Sequence, residues 1–398
     1  MNRYKILIFS LVITTTLSYA TPEFAREYSV SCSTCHTMVP ILNDTGKSFL
    51  RNGLRFSSSD KPTLKKIINP DKGSSRPIPI SVVLNGNYDT ASEDFQTKVK
   101  LYGGGTITDN ISIFGMTKDN LKSNNRGDNQ KIFSQKSSRL YGKINIDGEK
   151  HAIRVGLISP LREFGNIFKI SSDSSLQGNS SKSKDENSNR EYNRQQKYGN
   201  NSRNQNSDRS KNSKTYKTAV QNASIKTIKG IEYSYLFNNK LLALVSYGES
   251  IESSNSRQQD SDNYQFTGGL QYKADNGYSI GVIYNRYETA QSDNFSITVP
   301  IEKSFNSAQI VSALVYKDGV DSEDSYYGIE NSIIYSISAK DYIRGIVDYG
   351  IEDDEDSYGL SLTYSKEFKY MIFHITGARK DSGDSGENIF SSSISVLF

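Results

Sequence analysis

Cysteine is nearly absent: the 398-residue chain holds two, Cys32 and Cys35. A disulfide framework and a cysteine-built zinc site are thereby excluded. Tryptophan is missing, histidine is limited to His36, His151 and His374, and hydrophobic residues make up only 35% of the chain. Mean hydropathy is −0.59. Beyond the leader there is no apolar run of the roughly 20 residues that a transmembrane helix needs. A soluble enzyme of this length would normally carry more leucine, alanine and amphipathic helix. The net charge of +4 is too small to call for a nucleic-acid partner. What is abundant is tyrosine, 26 residues, and glycine, 29. Low hydropathy with many aromatics suits a barrel whose strands turn one face to lipid and the other to water.

Residues 1–20 read as a signal peptide. Arg3 and Lys5 give a positive start, Ile6 to Ile13 an apolar stretch, and Ser18-Tyr19-Ala20 a small-x-small cleavage site. The chain is therefore expected to leave the cytoplasm.

Cys32-Ser33-Thr34-Cys35-His36 is C-x-x-C-H, the attachment pattern of one covalent haem c. Two thiols at this spacing form thioethers to the haem vinyls, and the adjacent His36 supplies the proximal iron ligand. Residues 21–56 form the haem segment. Within it Thr45 to Asn52 predicts a short helix stopped by Gly53. Phe24, Pro40, Leu42 and Phe49 are candidates to pack on the haem. Arg26, Arg51 and Arg55 are candidates to pair with its propionates. Such a unit is too short to bury a core alone, so haem or barrel must supply the missing apolar surface. The sixth iron position is open, or is filled by Lys47, the α-amine or a residue reaching in from the barrel. Of the barrel residues His374 is the candidate, because it lies opposite Met371, Phe373 and Ile375 and near a short turn. His151 shares a face with Ile153, Val155 and Leu157 and points to lipid. Residues 57–77 are polar, Lys-rich and Pro-punctuated, a linker.

From Ile78 the periodicity becomes two. Tyr358, Leu360, Leu362 and Tyr364 alternate with Gly359, Ser361, Thr363 and Ser365; Ile343, Val347 and Tyr349 alternate with Arg344, Ile346 and Asp348. The inward face so read is mostly Ser, Gly and Asn. Residues 78–398 thus predict an all-β, antiparallel transmembrane barrel of about 16 strands, with 293–317 divided into two. Short turns, such as Asp147-Gly148 and Asn238-Asn239, alternate with longer loops at about 120–137, 161–223, 250–263 and beyond. An even count puts both termini on the short-turn, periplasmic side. Residues 171–214 are a low-complexity stretch of Ser, Asn, Lys and Arg that cannot bury a core, and the whole of 161–223 reads as an outward loop. The terminal Phe398 matches the end signal of outer-membrane barrels.

Pro22, Phe24-Ala25-Arg26, Cys32 to His36, Pro40, Leu42-Asn43, Gly46, Phe49 and Asn52-Gly53 together resemble the fused monohaem cytochrome–porins of the bacterial outer membrane, whose best-known members are iron oxidases. The resemblance implies a cytochrome held at or inside a porin-like barrel. It further implies electrons passing from an extracellular donor, Fe²⁺ among the candidates, to a periplasmic cytochrome or other carrier. Lumen carboxylates such as Asp348 would attract such a cation. The rival reading is a diffusion porin whose haem unit is a redox-sensitive plug.

Overall fold

The structure, a computed structural model, describes residues 24, 28, 30–38, 41–56, 80–89, 94–120, 138–164, 217–223, 225–251, 263–289, 293–319, 325–338, 340–352, 355–368, 371–382 and 385–397. The leader, Arg26, Pro40, the linker, the stretch 171–214 and Phe398 lie outside the described residues.

Sixteen antiparallel strands close into one barrel. They are β3 (Ile80–Asp89), β4 (Asp94–Thr106), β5 (Ile111–Asn120), β6 (Arg139–Ile146), β7 (His151–Ile158), β8 (Ile228–Phe237), β9 (Leu241–Ser250) and β10 (Tyr264–Lys273), followed by β11 (Tyr278–Glu288), β12 (Asp293–Ser304), β13 (Ala308–Gly319), β14 (Tyr326–Ser336), β15 (Asp341–Glu352), β16 (Glu355–Phe368), β17 (Met371–Ser382) and β18 (Ser385–Leu397). Neighbours in the chain are neighbours in the wall, and β18 pairs with β3 through contacts such as Ile394 with Gly86. Closure leaves no unpaired edge, which a hydrocarbon environment demands. The segment 293–317 does divide into two strands, turning at residues 305–307.

The two faces are inverted relative to a water-soluble barrel. Leu360 and Leu362 on the outside are 55% and 60% exposed, whereas Ser361 and Thr363 between them are 1% and 3% exposed. Rings join across strands in two bands. Near the long-loop end Tyr284, Phe295, Tyr316 and Tyr327 form a chain of ring contacts. Near the short-turn end His151 stacks on Tyr235, and its Nδ1 is 2.8 Å from the Tyr233 hydroxyl. Apolar outside, polar inside and aromatic near both rims is the pattern of a barrel set in a bilayer.

The lumen is not lined as simply as the alternation suggested. Besides serines it buries Lys143, Arg154, Glu232, Glu302, Glu330, Arg344 and Asp348. Two inserts occupy it. The first is the N-terminal unit: a 3₁₀ turn (Cys32–Thr34), the small hairpin β1 (His36–Met38) and β2 (Ile41–Leu42), and helix α1 (Asp44–Arg51). The second comes from both ends of the connection between β7 and β8. Leu161 and Phe164 pack on Leu236, Leu242, Leu244 and Ile283, and helix α2 (Ala219–Asn222) lies against β13, β14 and β15. The expectation of one outward loop over 161–223 is therefore corrected at both ends. Its apolar residues Leu161, Phe164, Ala219, Val220 and Ala223 are at most 4% exposed and turn inward.

Candidate functional site

Helix α1 organises the N-terminal unit. Asn43 caps it, its Oδ1 accepting from the Gly46 amide at 2.9 Å. The other end of the same side chain grips the C-x-x-C-H turn, with Nδ2 donating to the Ser33 carbonyl at 3.2 Å and the Thr34 carbonyl at 3.1 Å. The Asn43 backbone N–H adds a bond to the Cys35 carbonyl at 3.0 Å. Gly46 permits this closeness, since a Cβ there would sit 2.1 Å from the Cys35 carbonyl oxygen.

At the far end Gly53 takes φ +66° and the Leu54 amide bonds the Phe49 carbonyl at 2.9 Å, ending the helix as the sequence predicts. The remaining terminal carbonyls are satisfied partly by the barrel. Ser48 accepts from the Asn52 amide at 2.8 Å, Leu50 from Lys143 Nζ at 3.1 Å, and Arg51 from Asn145 Nδ2 at 2.7 Å. A lysine there also suits the negative end of the helix dipole.

Ion pairs moor the unit at the short-turn mouth: Lys47 to Glu302 at 2.6 Å, Asp44 to Lys273 at 2.7 Å, Arg51 to Glu149 at 3.7 Å and Arg55 to Asp109 at 3.5 Å. Asp44 is held below the usual carboxylate range: burial works against this, but the hydrogen bond and charge of Lys273, with Lys47 and Arg51 behind, prevail.

Cys32 opens the 3₁₀ turn and Cys35 follows it, so positions 32 and 35 stand one turn apart. Cys35 is a free, half-buried cysteine whose thiol is pushed up to about 11 by burial. It is thus neither a disulfide partner nor a ready thiolate at neutral pH. His36 begins β1 and lines a cleft of about 310 Å³ shared with Ser33, Thr37, Asn43, Phe305 and Tyr342. That volume is at the lower end of the ~300–1,000 Å³ common for cofactor sites. A C-x-x-C-H turn fixed by Asn43, with His36, Phe305 and Tyr342 lining one cleft, offers the residues that would hold a c-type haem.

The other sequence candidates are placed differently. Phe49 is buried among Leu50, Leu54, Phe114, Tyr141, Ile158 and Ile228, with Phe24, Tyr28, Leu42 and Phe56 packed around. Phe24 and Tyr28 meet Phe49 edge-on at 5.3 and 5.5 Å. Phe24, Leu42 and Phe49 thus fasten the unit to the wall and do not line the cleft. Arg51 and Arg55 engage carboxylates of the wall. His374 faces the lumen as expected, but its Nδ1 is 2.7 Å from Ser365 Oγ and it is not a lining residue of the cleft. Asp348 faces inward, yet it accepts the Ala219 amide at 2.8 Å and is 1% exposed, so it offers no open carboxylate to a cation. Tyr342, Phe305 and the moorings Glu302 and Lys273 were not singled out from the sequence. Their role depends on register.

No family model and no curated protein matches the chain. Solved structures do. An anion-selective porin from Comamonas acidovorans superposes with a TM-score of 0.52 at 10% identity, over 81% of this chain and 99% of that one. This is a porin fold. OmpT of Vibrio cholerae lacking loop L8, an outer-membrane protein, gives 0.51 at 11% identity over 81% and 99%. OmpT in its trimer form gives 0.50 at 11% identity, again over 81% and 99%. At such identities the porin likeness concerns the barrel's architecture alone.

Proposed function

We propose that this chain is an outer-membrane barrel that carries one covalent haem c in its periplasmic mouth and relays electrons between an extracellular donor and a periplasmic carrier. The observation that carries the reading is the C-x-x-C-H turn, pinned by Asn43 beside a cleft in the barrel mouth. The apolar exterior and the porin fold support the outer-membrane location. When bound, the haem supplies reversible one-electron chemistry. The chain's own residues hold its attachment turn rigid, present His36, and close the lumen around it. The inward-facing residues Thr267, Asn285, Glu330, Ser332, Asp348 and Ser361 are no more than 1% exposed, where a wide water-filled pore would wet them.

The test is anaerobic stopped-flow spectroscopy of the oxidised, outer-membrane-purified protein mixed with Fe²⁺. Rapid growth of the reduced haem α-band supports the relay and an iron-oxidising role. Reduction by dithionite but not Fe²⁺ directs the search to another donor, and a protein without covalent haem defeats the relay.

The second reading is a diffusion porin with a redox-sensitive plug. The comparisons bear on the barrel alone and support this reading more directly than the relay. Conductance that differs between oxidised and reduced protein would favour it.

A further inference from the structure

Among the described residues that line the His36 cleft, two carry six-membered rings, Phe305 and Tyr342, and the rest apart from His36 are Ser, Thr, Asn or Asp. The two rings differ in depth. Phe305, in the turn between β12 and β13, is 53% exposed, whereas Tyr342 is 4% exposed. A porphyrin is a large apolar plate. In a cleft otherwise walled by small polar groups, its dry aromatic contact is offered by Tyr342.

Local structure holds Tyr342 in that place. It is the first inward residue of β15, directly opposite Ser336 of β14, which also lines the cleft. The turn before it is tied to its own strand. Ser338 Oγ donates to Asp341 Oδ2 at 2.6 Å and accepts from the Asp341 amide at 3.1 Å. The Tyr364 hydroxyl of β16 donates to Asp341 Oδ1 at 2.7 Å. Away from the cleft, Tyr342 belongs to the buried apolar cluster that holds Met38 and Ile41 of the N-terminal unit with Ile334 and Ile346 of the wall. Among the described residues it alone belongs to both the cleft lining and that cluster. One side chain thus joins the candidate haem cleft to the apolar packing that closes the lumen beside it.

We propose that Tyr342 is a positioning residue that keeps lumen water from the haem and thereby raises its potential, an inference that rests on the haem-bearing reading of the barrel. Ferric haem carries one positive charge more than ferrous haem. Water stabilises the more highly charged form, so a dry wall favours the reduced one. The ring excludes the water, and phenylalanine would supply the same ring.

Redox titration of the full haem-bearing protein in detergent, followed at the α-band, tests the assignment. In Tyr342→Ala the equilibrium is expected to move at least about tenfold toward oxidised haem, a fall of about 59 mV for one electron. Tyr342→Phe is expected to titrate as wild type. Phe305→Ala, which removes the wetter ring, is expected to shift the equilibrium by less than about threefold. Covalent haem per chain and heat-modifiable gel migration report whether each variant is loaded and folded. Should Tyr342→Ala fail either check, Tyr342→Leu serves, because it keeps an apolar side chain of shorter reach; a fall of at least about threefold in the same direction is expected there. A loaded, folded variant without the ring that keeps the wild-type potential overturns the proposal and leaves the haem-bearing barrel standing. A Tyr342→Phe potential as low as that of Tyr342→Ala also overturns it, since the hydroxyl would then carry the effect. A wild-type chain without covalent haem overturns this proposal and the relay together.

Discussion

Two small residues decide whether the C-x-x-C-H turn has a shape. Gly46 lets α1 approach so closely that any Cβ would meet the Cys35 carbonyl at 2.1 Å and Leu42 Cδ2 at 2.8 Å. Gly46→Ala must push the helix off the turn. The expected result is a barrel that still folds but carries less than half the covalent haem per chain, read from the alkaline pyridine spectrum against protein mass. Asn43 permits a finer division. Its Oδ1 caps the helix while its Nδ2 holds Ser33 and Thr34. Asn43→Asp keeps the acceptor and loses both donors; Asn43→Ala loses everything, including a cap worth about 1 kcal/mol. If the grip on the turn matters more than the cap, the two variants lose haem alike. If Asn43→Asp loads haem normally, the cap is what counts.

At the scale of the element, α1 is an accessory to the wall rather than an independent helix. Two of its last four carbonyls are satisfied by Lys143 and Asn145. Its moorings differ in depth: Lys47 and Glu302 are 15% and 7% exposed, whereas Lys273 and Asp44 are 42% and 63%. Breaking the deeper pair strands a buried charge, at about 3–5 kcal/mol, while an exposed pair contributes about 0–1 kcal/mol. Glu302→Ala should therefore expose the segment 21–56 to limited proteolysis far more than Asp44→Ala does. The pH response follows from Asp44. Its carboxyl titrates below the ordinary range. The stabilisation from its pair is thus fully present above the ordinary carboxylate pKa of about 4 and is lost as pH falls through the lowered value. Proteolysis of wild type should be unchanged by this pair between about pH 5 and 7 and should rise only below about pH 4. In Asp44→Ala that acid step should shrink.

Element by element, most of this architecture is written in the sequence. Alternation at Tyr358–Ser365 assigns inside and outside correctly because lipid and lumen impose opposite preferences on successive residues. The division of 293–317 follows from the same rule, as does the outward His151. The end of α1 is visible in Asn52-Gly53. What the sequence hides depends on register. Arg154 meets Glu232 because they oppose one another across β7 and β8, and nothing local to either residue announces it. Helix α2 is hidden for another reason: its apolar residues adjoin the polar stretch 171–214, whose composition dominates any window placed over it. Phe49 misleads through its type, since an aromatic beside C-x-x-C-H suits haem packing and wall packing equally well.

At the scale of the whole molecule, the two inserts act as one obstruction. Met38 and Ile41 of the N-terminal unit share a buried apolar cluster with Ala219, Val220 and Ala223 of the loop insert, and both inserts' residues are clustered with Val311, Ala313, Ile334 and Ile346 of the wall. Met38, two places from His36, thus belongs to the same buried cluster as the segment hanging from the opposite end of the barrel. An apolar seam between two inserts excludes water, and a hydrated ion crossing it would forfeit its hydration. The intact protein in a planar bilayer should therefore conduct far less than a chain from which residues 21–77 have been removed. That deletion takes Met38, Ile41 and every mooring of α1 away and leaves all sixteen strands. Met38→Asp/Ile41→Asp, which wets the seam while keeping the haem turn, should fall between the two. If the intact protein conducts as freely as the deleted one, the inserts do not seal the lumen. The relay would then share its barrel with ordinary diffusion. A silent intact protein and an open deleted one would instead mean that the inserts close the lumen to ions, as the proposed relay requires.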